Sequence, residues 1–331
     1  MTETTKKSLM SGMRPTGELH LGNYFGALQN FVSLQDEYDC FFSIVDWHAL
    51  TTAYQEVDQL ENRVFELACD WLAAGLDPEK CAIFRQSDIK EIAELHLLLS
   101  MIIPLPWLER VPTYKDQLQQ LKEKEINTYG FLGYPLLQAA DILVCNAEVV
   151  PVGEDQLPHI ELTREVVRRF NFLYEQDVFV EPAAKLTEFK VLPGLDNRKM
   201  SKSYKNYIRM TASPEEVNQK VRTMVTDPNR VRKDDPGNPE ICSVYAYHKL
   251  FNPEIVDGIG SACRAGTIGC TQCKKQLADT LVEVIQPMHE KKQQLVSNPQ
   301  YIREVLDEGA RKTRIKAHSV MENVRNVLGT R

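Results

Sequence analysis

Short apolar runs alternate with amphipathic stretches through the first half of the chain. The run CFFSIVD at residues 40–46 is typical of a buried strand, and CAIF at 81–84 and EVVPVG at 148–153 have the same character. After the first run, apolar residues recur at helical spacing, namely Leu60, Val64, Leu67, Ala68, Trp71 and Leu72. This alternation predicts an α/β fold, a doubly wound parallel sheet with helices on both faces. Ligands bind such sheets at the carboxyl ends of the strands.

The second part of the chain is predicted to be helical. Strand signals fade after Leu195, SPEEVNQKVRTMV begins with a helix start at Ser213, and the last forty residues also have helical spacing. A chain of 331 residues is long enough for two cores. We therefore predict an α/β domain over residues 1–195 and a helical domain over residues 196–331, with the last helices free to pack back on the first domain.

Composition indicates a globular protein without a membrane segment. Hydrophobic residues make up 43% and charged residues 26% of the chain. The N-terminal MTETTKKSL lacks the apolar stretch of a signal peptide. The longest apolar run, LHLLLSMIIPLPWL, is too short to span a bilayer and is interrupted by Pro104 and Pro106. We expect a cytoplasmic protein.

Basic residues are concentrated between Arg198 and Lys233. The formal net charge is −7, which argues against a nucleic-acid partner, but this window holds ten basic and three acidic residues. The window therefore carries +7 and the remainder −14. A basic stripe on an acidic body suits a polyanion that docks in one place. A solvated helical face would explain the same charges.

The stretch GELHLGNYFGAL, residues 17–28, places a polar pair where an apolar run meets a predicted helix. Gly22 has no side chain, so a nucleotide can lie against the backbone, and a helix from Asn23 to Leu34 offers free N–H groups to phosphates. His20 and Asn23 add donors for phosphate or ribose oxygens. By itself, however, such a pair is more often a helix cap.

The pentapeptide KMSKS at residues 199–203 begins the basic stripe. Lys199 and Lys202 lie three residues apart in a Ser-rich loop, where they can close on a pyrophosphate leaving group and neutralise its developing charge. An exposed basic loop would explain this motif alone, but not the two motifs together.

The order and distance of the two motifs resemble the class I aminoacyl-tRNA synthetases, in which a HIGH-like signature and KMSKS jointly bind ATP. Here the first signature reads HLGN, a variant that also occurs in that family. The resemblance implies a Rossmann-like catalytic domain and attack of an amino-acid carboxylate on the α-phosphate of ATP, with loss of pyrophosphate. It implies catalytic roles for His20, Asn23, Lys199 and Lys202, the first two as hydrogen-bond donors.

The apolar stretch YPLLQAADILV carries one polar stripe, formed by Tyr134, Gln138 and Asp141 at positions i, i+4 and i+7. Polar residues aligned in this way either form a buried network or line a pocket. In a pocket, Asp141 would suit an indole N–H, which can only donate a hydrogen bond.

A wider resemblance, to the tryptophanyl-tRNA synthetase family, covers nearly the whole chain. It includes the blocks SGMRPTGELHLGN, VDWHALTT, ERVPTYK, YPLLQAADIL and VPVGEDQLPHIELTREVVRRFN, in the family's order. It implies that tryptophan is bound by Met10, His48, Tyr134, Gln138, Asp141 and Gln156. It implies that ATP, with Mg²⁺, is bound by Arg14, Pro15, Thr16, Gly22, Asn23, Lys115, Gly153, Glu154, Asp155, Val191, Lys199, Met200, Ser201, Lys202 and Ser203. Asp155 is also placed to cap the following helix.

The resemblance also implies partners. The helical domain would bind tRNA(Trp), and the protein would be a homodimer for which LLLSMIIPLPWL is a candidate interface patch. A tyrosyl-tRNA synthetase remains the nearest alternative, because a phenol O–H can also donate to Asp141. A nucleotidylyltransferase without tRNA, and a non-catalytic iron–sulfur or nucleic-acid-binding module, are the other hypotheses.

The eight cysteines fall into two groups. Cys40, Cys69, Cys81 and Cys145 stand in apolar segments and are predicted to be small core residues. The other group is Cys242, Cys263, Cys270 and Cys273, whose spacing predicts a metal site or a coincidental cluster of small residues and leaves zinc and an iron–sulfur cluster open. The resemblance favours a [4Fe-4S] cluster, which a subset of bacterial tryptophanyl enzymes carries, although the first gap is two residues shorter here.

Overall fold

The structure is a computed structural model and describes residues 6–120, 126–186, 192–202 and 204–330. Within them five parallel strands form one sheet in the order β3-β2-β1-β4-β5. The strands are β1 (Ser8–Met13), β2 (Asp39–Ile44), β3 (Cys81–Arg85), β4 (Val149–Val152) and β5 (Ala183–Leu186). The predicted parallel α/β sheet is therefore confirmed, whereas β1 and β5 had no clear signal in the sequence.

Helices connect the strands and make up most of the second half. The first ten are α1 (Leu21–Asn23), α2 (Gln29–Leu34), α3 (Asp46–Ala53), α4 (Leu60–Ala74), α5 (Lys90–Ser100), α6 (Leu105–Glu109), α7 (Pro112–Gln120), α8 (Tyr129–Leu132), α9 (Tyr134–Val144) and α10 (Leu157–Tyr174). They are followed by α11 (Pro214–Thr223), α12 (Ser243–Phe251), α13 (Val256–Arg264), α14 (Cys270–Val296) and α15 (Pro299–Leu328). A π-helical segment, Tyr24–Leu28, joins α1 to α2, and 3₁₀ turns occupy Val57–Gln59, Gln86–Asp88, Glu154–Gln156 and Pro239–Ile241.

Sequence signals explain several of these boundaries. Ser213 caps α11 by accepting a hydrogen bond from the Glu216 backbone N–H, as its position before Pro-Glu-Glu predicts. Gly75 ends α4 in the left-handed conformation, with a φ of 113° that favours glycine. The helix predicted to begin at Asn23 begins instead at Leu21, because His20 is its N-cap.

Two hydrophobic cores lie on opposite faces of the sheet. Successive residues of one strand point to opposite faces, so Leu9 belongs to one core and Met10 to the other, and Phe42 and Phe41 divide in the same way. The four cysteines predicted to be core residues, Cys40, Cys69, Cys81 and Cys145, are all buried.

The last helix returns to the sheet and packs along the edge strand β3. Gly309 lies so close to β3 that a Cβ atom there would stand 1.9 Å from the Ile83 carbonyl oxygen. Val305 of α15 joins one core and Ala310 the other. The division at residue 195 stays a prediction, and Leu195 itself is buried in the first core. Of the described helices, none has the length and apolar character needed to cross a membrane.

Candidate active site

A cavity of about 370 Å³ opens at the carboxyl ends of β1 and β4, beside α9. This is where a ligand is expected in an open parallel sheet. All six residues predicted to bind tryptophan line it, namely Met10, His48, Tyr134, Gln138, Asp141 and Gln156. Of the residues predicted to bind ATP, Arg14 and Gly153 also line it. The sequence blocks therefore meet in one cavity, while the binding roles remain predictions.

Asp141 is buried at the wall of this cavity and is surrounded by donors. Its Oδ2 accepts a hydrogen bond from His48 Nε2 at 2.9 Å. Nε2 of Gln86 lies 2.7 Å from Oδ1 and 2.9 Å from Oδ2. Because a carboxylate only accepts, His48 Nε2 must carry a proton in this contact. Gln86 was not predicted, although a polar residue directly after a buried parallel strand is a recognisable signal.

A second, partly buried network lines the same cavity. The Thr113 hydroxyl is 2.8 Å from the Tyr134 hydroxyl and 2.7 Å from His159 Nε2. Burial lowers the pKa of His159 to about 4, so its ring is neutral at physiological pH. Thr113 and His159 both line the cavity. They stand in the blocks ERVPTYK and VPVGEDQLPHIELTREVVRRFN but were not predicted as site residues.

His20 and Asn23 form a reciprocal cap at the start of α1. His20 Nδ1 accepts from the Asn23 backbone N–H at 3.2 Å, and Asn23 Oδ1 accepts from the His20 backbone N–H at 3.1 Å. Burial, followed by the nearby charge of Lys202, lowers the pKa of His20 to about 4. His20 is therefore a neutral ring whose proton stands on Nε2, free to donate. Capping and ligand binding are compatible, because each side chain keeps one free donor.

The HLGN and KMSKS segments converge, as predicted. Lys202 Nζ donates to the Thr16 carbonyl oxygen at 3.1 Å, and the Gly22 backbone N–H points at Met200 Sδ at 3.4 Å. Backbone bonds between the two chain segments reinforce this contact, with Leu21 N–H donating to Ile208 and Met210 N–H donating to Leu19, both at 3.0 Å. Burial lowers the pKa of Lys202 from its ordinary value.

Other predicted ATP-site residues are placed differently. Lys115 is exposed on α7, and Glu154 and Asp155 are exposed in the turn before α10. Lys199 is exposed at the base of its loop, where its backbone carbonyl accepts from Asn206. The expected capping by Asp155 is wrong, because the N-cap of α10 is Gln156 and Asp155 instead accepts from the Gln156 side chain at 2.8 Å. Two further predictions, Val191 and Ser203, lie outside the described residues, whereas Pro15 and Ser201 stand in the two converging segments.

The four cysteines of the second half are neighbours, and two of them, Cys263 and Cys270, contact Arg230. Its Nη1 lies 3.7 Å from Cys263 Sγ and 3.8 Å from Cys270 Sγ. Burial, followed by the other three thiols, raises the pKa of Cys273 to about 12. In the part of the chain that the structure describes, no three His, Cys, Asp or Glu side chains stand in a metal-ligating arrangement. The thiols are thus neighbours, but their positions do not by themselves define a metal centre.

Comparison with known proteins places this site in a family. A family model for class I tRNA synthetases (W and Y) matches residues 2–286. The chain is 50% identical to the tryptophan–tRNA ligase of Thermotoga maritima, over 97% of this chain and 98% of that protein. It is 44% identical to the tryptophan–tRNA ligase of Aquifex aeolicus, over 97% and 99%. The tryptophanyl-tRNA synthetase of Campylobacter jejuni, complexed with ADP and tryptophan, superposes with a TM-score of 0.89 at 33% identity and covers 97% of this chain and 99% of its own.

The chain therefore belongs to the class I tRNA synthetases of the tryptophan and tyrosine group, and it is an enzyme. Within that group it falls with the tryptophan–tRNA ligases. This membership sets aside a tyrosyl enzyme, a nucleotidylyltransferase without tRNA and a non-catalytic binding module.

Proposed function

We propose that this enzyme activates L-tryptophan with ATP in the cavity at β1 and β4 and then transfers it to tRNA(Trp). The amino-acid carboxylate attacks the α-phosphorus, which forms tryptophanyl-adenylate and releases pyrophosphate. A ribose hydroxyl of the tRNA then attacks the acyl carbon, and AMP leaves. The observation that carries the proposal is the buried Asp141 carboxylate at the wall of a mainly apolar cavity.

The cavity suits an indole with a polar amino-acid backbone. Asp141 accepts the indole N–H, and Met10 packs against the ring face. Tyr134, Gln138 and Gln156 line the same cavity and offer hydroxyl and amide groups to the α-amino and carboxylate groups. A site that pairs a buried acceptor with a substrate donor rejects analogues that lack the donor.

The two converging segments hold ATP and its Mg²⁺. His20 donates from Nε2 and Asn23 from its amide nitrogen, because their other polar atoms are occupied in the cap. With a pKa of about 4, His20 stabilises the charge of the reacting phosphate as a neutral donor and takes no part as an acid or base. Lys202, whose Nζ lies 3.1 Å from the Thr16 carbonyl oxygen, binds the pyrophosphate leaving group.

Pyrophosphate exchange with tryptophan and tyrosine side by side tests the substrate. Exchange should require tryptophan and should be lost in Asp141→Leu, which removes the acceptor but keeps the branched side-chain shape. Equal rates with tyrosine would contradict the proposal.

Substitution of a single lysine in the KMSKS loop tests the ATP site. Lys202→Ala should lower exchange by about a hundredfold, because it removes a cation aimed at the leaving group, and should leave tRNA binding unchanged. Lys205→Asn is the matched control, since Lys205 has a φ of 53° that asparagine tolerates. If Lys202→Ala catalyses pyrophosphate exchange at the normal rate, Lys202 has no role in the mechanism.

The basic stripe forms part of a groove of about 970 Å³ that we assign to the tRNA. Its cationic lining comes from Arg222, Arg230, Arg232, Lys233, Lys274 and Lys275. Phosphate contacts make nucleic-acid binding depend on salt. Replacing Lys274 and Lys275 by Ala should weaken charging of tRNA and flatten its salt dependence while pyrophosphate exchange is unchanged; weakened exchange would point to a folding defect instead.

A homodimer is proposed from the exposed apolar side chains of the predicted patch. Leu97 is 56% exposed, Met101 69% and Leu105 56% in the single chain. We expect a second copy of the chain to cover this patch, because the two identical patches then bury each other. Light scattering should give twice the chain mass of 37.9 kDa, and Met101→Glu should give the single mass; a monomeric unaltered protein would contradict the proposal.

A [4Fe-4S] cluster on Cys242, Cys263, Cys270 and Cys273 is proposed, with zinc as the alternative. The support is chemical: the four thiols share one neighbourhood, in which burial, helped by Cys263 and Cys270, raises the pKa of Cys242 and of Cys273. When bound, the cluster would cross-link α13 and the start of α14 to the residue before α12, and neither reaction step requires it. Anaerobic purification should give a brown protein with about four irons per chain, and a colourless protein with one zinc would overturn it.

A cytoplasmic location also remains a proposal. It is supported by the eight cysteines, all of which are free thiols. Free thiols are typical of a reducing compartment.

A further inference from the structure

Gln86 is a buried polar residue that belongs to none of the binding motifs. It follows β3 directly and begins the 3₁₀ turn Gln86–Asp88 at the carboxyl edge of the sheet. Its exposure is 0%. A fully buried amide is retained only where its donors and acceptor are paired, so its partners define its role.

The partners of Gln86 fix the orientation of its amide. The backbone N–H of His48 donates to Oε1 at 3.3 Å. Because a backbone N–H can only donate, the oxygen must stand on that side and the amide nitrogen on the other. The nitrogen then faces Asp141, 2.7 Å from Oδ1 and 2.9 Å from Oδ2.

The two oxygens of Asp141 are not equally occupied. Oδ2 receives hydrogen bonds from both Gln86 Nε2 and His48 Nε2, whereas Oδ1 receives one from Gln86 among the contacts of the described residues. A carboxylate has about four acceptor positions in all. An acceptor position therefore remains on Oδ1, and the groups packed around the carboxylate leave no role for a ligand atom that only accepts.

We propose that Gln86 is a positioning residue that determines specificity: it holds Asp141 so that Oδ1 accepts the indole N–H. The inference rests on the proposed function, because it requires tryptophan in this cavity. Gln86 itself does not touch the substrate. Without its amide, the carboxylate loses its only described partner on Oδ1 and can turn away from the ring nitrogen.

The first experiment compares tryptophan with an analogue in which sulfur replaces the ring N–H. In Gln86→Met, the KM for tryptophan should rise by about tenfold or more, as expected for hydrogen bonds to a charged group, with the KM for ATP unchanged. The preference for tryptophan over the sulfur analogue should fall, because the acceptor is no longer aimed at the N–H.

Gln35 provides a matched control. It is a buried glutamine, 5% exposed, whose side chain bonds to the backbone of Gly75 and Asp77 at 3.1 and 2.9 Å. Gln35→Met makes the same chemical change outside the cavity. It should lower the unfolding midpoint and leave the tryptophan preference as in the unaltered enzyme.

The second variant, Gln86→Glu, uses pH as the readout. When protonated, the introduced carboxyl can accept from the His48 N–H and donate to Asp141, as the amide does, whereas the ionised form repels Asp141. Among the described residues, other titratable groups near this position are the His48 ring, which contacts Asp141, His96 on α5, which interacts with both, and Asp46 at the start of α3, which accepts from Ser87. They are present in the unaltered enzyme too, so the KM for tryptophan is measured as a ratio to that enzyme at each pH.

That ratio should fall toward one as the pH is lowered from about 8 to about 6, because two facing carboxyls share one proton. A flat ratio, or a Gln86→Met enzyme with unchanged KM and preference, would overturn the inference. An unaltered enzyme that fails to exchange with tryptophan would instead overturn the proposed function, so the two failures are distinguishable.

Discussion

At the scale of single residues, two hydrogen-bonded triplets of polar side chains stand at the cavity. Asp141 is held by Gln86 and His48, and Thr113 joins Tyr134 to His159. Burial keeps His159 and His20 neutral, with pKa values of about 4. The cavity is therefore bordered by fixed donors and acceptors, and Lys202 brings a cation to the HLGN segment at Thr16.

The depressed pKa of His159 predicts a loss of stability in acid. An unfolded histidine titrates near pH 6.5, so as the pH falls from about 6.5 to about 4 the unfolded chain binds a proton that the native chain excludes. Stability should fall by up to about 1.4 kcal/mol per pH unit from this group. His20 contributes in the same direction.

Urea unfolding over a pH series measures this effect. His159→Gln should flatten the decline between pH 6.5 and 4, a range set by the pKa of about 4. His318→Gln, on the exposed surface of α15, is the control and should leave the curve unchanged. An equally steep decline in His159→Gln would show that another group is responsible.

At the scale of elements, the predicted strands and helices were those with strong periodicity. β2, β3, β4, α4 and the helix α9 stand where the pattern places them. β1 was missed because SLMSGM has no β-branched residue and its face alternation is visible only once both cores are known. β5, with the sequence AAKL, is a short edge strand with little apolar character.

Contact between α15 and β3 predicts a severe effect of a small substitution. Gly309→Ala should destabilise the fold by about 1–3 kcal/mol or more, because the added Cβ would collide with the backbone of a buried strand. Denaturant midpoints measure this.

A second helical glycine offers the control. Gly258 in α13 is exposed and has nothing within 4 Å of its Cβ position. Gly258→Ala should stabilise the protein by up to about 1 kcal/mol. Equal effects of the two substitutions would contradict the close approach of α15 to β3.

At the scale of the whole molecule, a buried ion pair joins α14, in the helical second half, to α4, between β2 and β3. Lys292 Nζ on α14 lies 2.8 Å from Asp70 Oδ1 and 2.7 Å from Glu66 Oε2. Both carboxylates belong to α4. Asp70 in turn accepts from the backbone N–H of Leu19, the residue before His20, at 3.1 Å. Helix α14, which begins at Cys270, therefore ends close to the HLGN segment.

Breaking this pair should be costly. Lys292→Met leaves Asp70 without its cation at a position where burial already raises the pKa of the carboxyl, so the free energy of unfolding should fall by about 3–5 kcal/mol. Adding Asp70→Asn should restore much of the loss, because the amide oxygen still accepts from Leu19. The exposed neighbour substitution Lys291→Met should have little effect, and if Lys292→Met is as mild as this control, the ion pair is not a main link between the halves.

Local sequence was enough to predict the α/β class, the helical second half and the two nucleotide motifs, because periodicity, caps and loop chemistry act over a few residues. The sequence blocks shared with the tryptophanyl-tRNA synthetase family also identified six residues that line one cavity. Gln86, Thr113 and His159 required the fold, since their partners lie in other segments.

Only the tertiary structure decided which distant segments meet. It packed α15 against β3 and paired Lys292 with Asp70, contacts that span much of the chain and leave no local pattern. The physical reason is that a buried polar group needs a partner but does not specify where in the chain that partner stands, so only the packed fold can choose it.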